Sequence, residues 1–170
     1  VVLSADWPQK DAFLKHLRDA LAKAPARSAY YPGSDARVEQ ACQAYPDAER
    51  IHSRVLIAVP GDPDDTAPEP ALTTEYFGPV LGVMELSGDA RTFLAAAVRT
   101  ANERFTGTLG ANIIAHPRTL SALGDTFEQA VADLRYGTIT INAWTGVGYL
   151  TAAATWGAFP GHTLDDVQSG

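Results

Sequence analysis

The sequence has a single cysteine and no apolar run near the ~20 residues that a membrane-spanning helix needs. One cysteine makes neither an internal disulfide nor a thiolate-rich metal site, so a reducing, cytoplasmic location is expected. The first residues also lack the charged and apolar regions of a secretory signal. Basic charge is scarce, because 13 Lys and Arg stand against 20 Asp and Glu. This balance disfavours nucleic-acid binding. The sequence therefore predicts no membrane partner and no nucleic-acid partner.

Several motifs that would declare a chemistry are missing. There is no Walker A sequence, no Gly-x-Ser-x-Gly elbow and no complete dinucleotide-binding glycine fingerprint. The four histidines, at positions 16, 52, 116 and 162, lie far apart in the sequence. Scattered histidines of this kind predict no metal site.

What is present is the pattern of an α/β protein. Of 170 residues, 46% are hydrophobic and 19% charged, which is typical of one globular domain. Apolar, β-branched runs predict strands at residues 1–4, 54–59, 80–86, 108–116 and 136–142. Helical spacing of apolar residues predicts helices at 10–24, 35–44, after Ser87 and from Pro117. This alternation predicts a three-layer αβα arrangement with a mainly parallel sheet.

Local signals refine this pattern. Ser87 is a candidate N-cap, and Asp125 with Glu128 has the spacing of a capping box, so Gly124 is expected to divide the last helical stretch. Residues 60–70 form an acidic, proline-rich loop, and residues 143–170 form a glycine- and aromatic-rich loop region.

Cys42 has two interpretations. A catalytic thiolate needs a base or a helix N-terminus to activate it, and the surrounding EQACQAY offers neither a histidine nor a basic residue. Val38, Ala41, Cys42 and Tyr45 share helical spacing, so Cys42 is interpreted as a packing residue.

One segment carries a resemblance to a known family. Residues 74–80 (TEYFGPV) are similar to the Glu-Glu-hydrophobic-Phe-Gly-Pro-Val segment of the aldehyde dehydrogenase superfamily. Downstream, residues 102–111 resemble the family's helix-to-strand junction, 135–142 its Gly-Thr-Val-x-Val-Asn strand, and 155–159 the loop that follows. Upstream, residues 1–21 resemble the strand and helix after the catalytic cysteine. Residues 1–170 are thus identified as the C-terminal part of an aldehyde-dehydrogenase-like catalytic domain.

The resemblance implies a reaction and a set of missing parts. In the family a cysteine thiolate attacks the aldehyde, hydride passes to NAD or NADP, and the resulting thioester is hydrolysed to the acid. The nucleophile, the general base and the phosphate-binding region lie upstream of the segment that Val1 matches. The resemblance therefore implies a fragment cut at both ends that is inactive alone and carries no catalytic residue. A complementary fragment or another copy of the chain is the expected protein partner.

A few site residues carry over by resemblance. Glu75 matches the glutamate that holds the nicotinamide ribose, and Phe77 matches the ring beside it. Three residues of the expected substrate pocket align with positions that line the family's aldehyde tunnel: Trp144, Val147 and Trp156. Asn142 is assigned to the same pocket because it ends a predicted parallel strand, where open α/β sheets bind ligands. Asn142 has a second interpretation, as a cap of the turn at the end of its strand.

This sequence also departs from the family pattern. Thr74 replaces the first glutamate, Tyr76 an aliphatic residue, and Thr155-Trp156 replaces Pro-Phe. The identity of the aldehyde and the choice between NAD and NADP therefore do not carry over. The alternative hypothesis is a stand-alone, non-catalytic α/β binding or assembly module that shares the fold.

Overall fold

The protein is described by a computed structural model that covers residues 1–25, 27, 30–61 and 68–168. The described residues divide into two compact units, Val1–Asp89 and Ala90–Gly170. Most of the acidic loop predicted at 60–70 lies outside the described residues, because 62–67 are not among them.

The first unit is built on a four-stranded sheet. Its elements in chain order are β1 (Val2–Ser4), α1 (Lys10–Lys23), α2 (Ser34–Ala44), β2 (Glu49–Ile51), β3 (Arg54–Val59), α3 (Pro70–Thr73) and β4 (Val80–Leu86). The strand order is β1-β4-β3-β2. β4 is parallel to β1 and β3, with Val2 opposite Met84 and Val55 opposite Val80, whereas β2 is antiparallel to β3.

Helix α1 covers one face of this sheet because its apolar residues recur at helical spacing. They are Phe13, Leu14, Leu17 and Leu21, and they pack on Leu3, Leu56 and Val83. At the helix start, the Lys10 Nζ lies 2.5 Å from the Glu85 Oε2 on β4. At its end, Arg54 donates to the carbonyls of Leu21 and Pro25. Side-chain bonds with β4 at one end and β3 at the other therefore hold α1 against the sheet.

The second unit has a smaller sheet and more helix. Its elements are α4 (Ala90–Arg104), β5 (Gly110–Ile113), α5 (Pro117–Leu123), α6 (Asp125–Asp133), β6 (Thr138–Ile141) and α7 (Thr145–Tyr149). β5 and β6 are parallel, with Gly110 opposite Thr138. The buried apolar residues of this unit lie on α5, on α6 and just after it: Leu123, Phe127, Ala130 and Leu134.

The α/β class and the mainly parallel sheet predicted from the sequence are confirmed. The predicted division at Gly124 is confirmed as well, because this residue ends α5 and precedes α6 with φ 51°. The capping box is wrong: Asp125 is the first helical residue, and no side chain caps α6. Ser87 is wrong as an N-cap, because α4 begins only at Ala90.

Two predicted strands are longer than those observed. β5 ends at Ile113. Beyond it, the Ala115 N donates to the side-chain Oδ1 of Asn142 and not to a backbone carbonyl of β6. β6 ends at Ile141, because Asn142 adopts φ 53° and leaves the extended conformation. α7 lies where the sequence predicted loop only.

Candidate functional site

The segment between α3 and β4 carries both residues that the resemblance assigned to cofactor binding. Glu75 and Phe77 line one cavity of about 280 Å³ in the first unit. The remaining lining residues come from β3, α3, β4 and this segment: Ile57, Ala71, Thr74, Tyr76, Gly78, Val80 and Gly82. The cavity therefore lies beside the amino end of β4, whereas open α/β sheets usually bind ligands beyond the carboxyl ends of their strands.

The two residues present different chemistry to this cavity. The Glu75 side chain is exposed, and among the described residues no hydrogen bond or ion pair engages its carboxylate. Phe77 is 48% exposed, which is unusual for a phenylalanine. Its φ of 43° lies in the left-handed region that residues with a Cβ rarely adopt. A carboxylate without a partner among the described residues and a half-exposed phenylalanine thus lie two residues apart on one cavity wall.

Tyr76, between them, faces the interior. Its side chain is 8% exposed. Burial raises the pKa of the Tyr76 phenol; the hydrogen bond with Thr74 opposes this, and the negative charge of Glu69 adds to it. The phenol therefore stays protonated near neutral pH and does not serve as a general base there.

The size of the cavity limits what it can hold. Small-molecule sites usually measure roughly 300–1,000 Å³, so about 280 Å³ suits one nucleoside-sized group and not a whole dinucleotide. A carboxylate accepts hydrogen bonds from two vicinal hydroxyls, and an aromatic ring packs against a flat heterocycle. The residues present thus fit the nicotinamide-ribose end of NAD or NADP.

The four residues assigned to the aldehyde pocket lie in the second unit, apart from Glu75 and Phe77 in the chain. Trp144 is 71% exposed, and Val147 and Trp156 are also exposed. The Trp156 ring meets Tyr149 edge-on at 5.1 Å between centroids. The Trp144 indole folds over Gly146, where a Cβ would lie 2.5 Å from the ring. These side chains form an aromatic surface around α7.

Asn142 closes the end of the two-stranded sheet. Its Oδ1 accepts from the Ala115 N at 2.9 Å, and its own N donates to the Ile113 carbonyl at 2.8 Å. The Asn142 side chain thus caps the backbone that follows β5, across the sheet, and not the turn after its own strand. Asn112, which the sequence analysis did not single out, has a similar role: its Oδ1 accepts from the Thr140 Oγ1 at 2.7 Å and from the Thr145 N at 2.8 Å.

Cys42 lies within α2 and is partly buried. It is not among the residues that line the Glu75 cavity. This position agrees with packing as its role. Across the described ranges, no group of three or more His, Cys, Asp or Glu residues is placed to hold a metal ion.

No helix within the described part of the chain has the length and hydropathy to cross a membrane. In comparisons with known proteins, no family model and no curated protein matched this chain.

Proposed function

We propose that this chain is part of an NAD(P)-dependent aldehyde dehydrogenase, and that it supplies the site for the nicotinamide ribose of the cofactor. The observation that carries the proposal is that Glu75 and Phe77 line the same cavity, with the carboxylate unpaired among the described residues. The ordered similarity of the segments from residues 1–21 to 155–159 supports it from the sequence. The parent enzyme would convert an aldehyde, water and NAD(P)⁺ into an acid, NAD(P)H and a proton.

In this proposal the chain's own residues bind and orient. Glu75 accepts hydrogen bonds from the ribose hydroxyls, and the Phe77 ring packs against the sugar and the nicotinamide. The cofactor, when bound, accepts the two electrons and the hydrogen that leave the aldehyde carbon. The chain's one thiol, Cys42, is partly buried in a helix and is not proposed as the nucleophile.

The energetics predict weak binding by this chain alone. One ribose carboxylate and one ring contribute about 2–3 kcal/mol together. A complex with a dissociation constant of 1 mM requires about 4.1 kcal/mol. We therefore expect NAD and NADP to bind weakly and aldehydes not to be turned over by the 170-residue chain.

The proposal is tested by NMR titration with nicotinamide riboside, a probe of the size of the cavity, at about 10 mM and above. We expect the riboside to shift the amide signals of Phe77 and Gly78. In Glu75→Gln its dissociation constant should be at least threefold higher, which corresponds to roughly 0.7 kcal/mol. Glu49→Gln is the matched control, because Glu49 is in the same unit and does not line either cavity that Phe77 lines.

The outcomes are distinct. If the riboside shifts no signal of this segment, the proposal is wrong, and the non-catalytic binding or assembly module becomes the better description. Micromolar NAD binding, or aldehyde-dependent NADH formation by the pure chain, would mean that the site has been misplaced.

A further inference from the structure

Phe77 has a backbone conformation that needs support from its surroundings. A left-handed conformation costs a residue with a Cβ on the order of 1–3 kcal/mol and persists only when neighbouring contacts fix it. Phe77 also occupies a special place, because it lines both the Glu75 cavity and an adjoining groove of about 600 Å³. Gly78 lines both as well, so these two residues lie where the cavity and the groove adjoin.

Helix α2 supplies two hydrogen bonds to this segment from about forty residues away in the sequence. The Ser34 Oγ donates to the Phe77 carbonyl at 2.5 Å, and the Arg37 Nε donates to the Tyr76 carbonyl at 2.6 Å. The Tyr76 carbonyl belongs to the peptide plane before the Phe77 Cα, and the Phe77 carbonyl to the plane after it. The two bonds therefore fix both planes whose rotation defines φ and ψ of Phe77.

The same helix also fixes the neighbour of the Phe77 ring. The Arg37 Nη2 donates to the Pro32 carbonyl at 3.2 Å, and the Ser34 N donates to the Tyr31 carbonyl at 3.3 Å. The Tyr31 ring meets the Phe77 ring at 5.0 Å with an interplanar angle of 66°. Arg37 thus joins the turn that carries Tyr31 to the strand entry that carries Phe77.

Burial makes it costly to leave the Ser34 hydroxyl without a hydrogen-bond partner. Ser34 is 3% exposed, although it is polar, and its hydroxyl is used on the Phe77 carbonyl. A charged donor such as Arg37 contributes more to a hydrogen bond than a neutral donor does. Neither side chain is needed to begin α2 through a cap, because Gly33 holds the cap position without any side-chain bond.

We propose that Ser34 and Arg37 are positioning residues of the candidate site. They hold Phe77 in its left-handed conformation and so set its position where the cavity and the groove adjoin. The identity of the ligand that Phe77 serves rests on the proposed function, whereas the positioning itself does not.

A double-mutant cycle tests the positioning without any ligand. Arg37→Gln is made in the wild-type chain and in Phe77→Gly, since glycine adopts a left-handed conformation without strain. We expect Arg37→Gln to lower the local folding equilibrium constant at least about tenfold in Phe77→Gly, where the contribution of the hydrogen bond is lost in full, and less than about threefold in the wild-type chain, where Phe77 leaves its strained conformation and so recovers part of the loss. Amide hydrogen exchange of residues in β3 and β4 measures both values.

Arg18→Gln is the matched control. Arg18 makes an ion pair with Glu49 in the same unit, with 2.7 Å between the Nε and the Oε2, and it makes no bond to the Phe77 segment. Its effect should be equal in both backgrounds. Ser34→Ala, run through the same cycle, gives a second measurement if Arg37→Gln does not fold. Equal effects of Arg37→Gln or of Ser34→Ala in the two backgrounds would overturn the proposal.

Measuring riboside binding then separates an effect on the position of Phe77 from an effect on stability alone. At a temperature where the variants remain folded, Arg37→Gln should raise the dissociation constant of nicotinamide riboside at least about threefold, and Arg37→Lys, which keeps a donor, should restore part of the loss. The backbone carbon shifts of Phe77 should leave left-handed values in Arg37→Gln. If wild-type chain does not bind the riboside, the proposed function is wrong, and the cycle still decides the positioning role. Unchanged Phe77 shifts in Arg37→Gln would contradict it.

Discussion

The two units hold their candidate residues in different ways. In Val1–Asp89, the segment with Glu75 and Phe77 is held by side chains from a helix far away in the sequence. In Ala90–Gly170, Trp144 and Trp156 are exposed and rest on Gly146 and Tyr149 within the same loop region. A surface fixed by long-range bonds to the backbone is preorganised, whereas one built from local ring contacts adapts more easily.

The sheets of the two units also differ in how rigid a scaffold they provide. The first unit has four strands with α1 packed on one face, and it forms a hydrophobic core from strand and helix residues. The second has two strands, and a two-stranded sheet needs helices to be stable. Its buried residues accordingly lie mostly on or beside α5 and α6. The first unit is therefore the better scaffold for a rigid site.

The strongest way to break either unit is to fill a glycine position where two backbones meet. A Cβ on Gly61 would lie 1.8 Å from the Glu85 carbonyl oxygen, and a Cβ on Gly137 would lie 1.8 Å from the Gly157 carbonyl oxygen. We expect Gly61→Ala and Gly137→Ala each to destabilise their own unit by at least about 3 kcal/mol, because backbone cannot move aside as a side chain can. Residue-resolved amide hydrogen exchange measures the loss.

Gly82→Ala is the control for this pair. Its Cβ would meet the Val59 Cγ2 at 3.0 Å, and a methyl group can shift with its side chain. We expect a cost of about 1–2 kcal/mol. A cost for Gly61→Ala no larger than that of Gly82→Ala would contradict the close approach of the backbone at Gly61, after β3, to the Glu85 carbonyl on β4.

The sequence was sufficient for the elements with strong local patterns. α1 follows from its four apolar residues at helical spacing, and β3 and β4 follow from their apolar runs. β2 was missed, because Glu49-Arg50-Ile51 is polar and forms an edge strand whose pairing comes from its neighbour β3. α7 was missed, because its two glycines favour a loop in isolation.

The candidate site was only half accessible to sequence reasoning. Glu75 and Phe77 were found through a resemblance, without which an exposed glutamate and a core phenylalanine would be the expected roles. Nothing in the sequence indicated that Ser34 and Arg37 bond to the segment with Phe77. Their partners are 43 and 39 residues away, and no local pattern reports a bond over such a distance. α3 did have a signal, with Pro70 as its first residue and Glu69 as its cap.

The end of the small sheet offers a sharper comparison within the second unit. Asn112→Ala removes the acceptor of two hydrogen bonds, and Asn142→Ala removes the acceptor of one. We expect losses of about 2 and about 1 kcal/mol respectively, measured by urea unfolding. Asn142→Asp keeps the acceptor and should recover most of the loss. If Asn142→Ala is neutral, capping of the backbone after β5 is not its role, and the substrate-pocket interpretation gains support.

The smallest expected effect is a difference in alkaline stability, which involves the phenols of the partly buried Tyr136 and the buried Tyr76. Burial raises the pKa of Tyr136 in the second unit, and burial with the charge of Glu69 raises that of Tyr76 in the first. The unfolded chain releases these protons near pH 10, before the folded chain does. Above about pH 10 the unfolded state therefore binds fewer protons at these two phenols. Their contribution to the free energy of unfolding is constant below that pH and falls as pH rises through the folded pKa. We expect Tyr136→Phe to reduce this slope in the second unit and Tyr76→Phe to reduce it in the first, measured by urea unfolding from about pH 8 to about pH 11. Tyr149→Phe, which removes an exposed phenol and leaves Tyr76 and Tyr136 in place, is the control. A slope that persists unchanged in both Tyr76→Phe and Tyr136→Phe would mean that the alkaline loss arises from other groups.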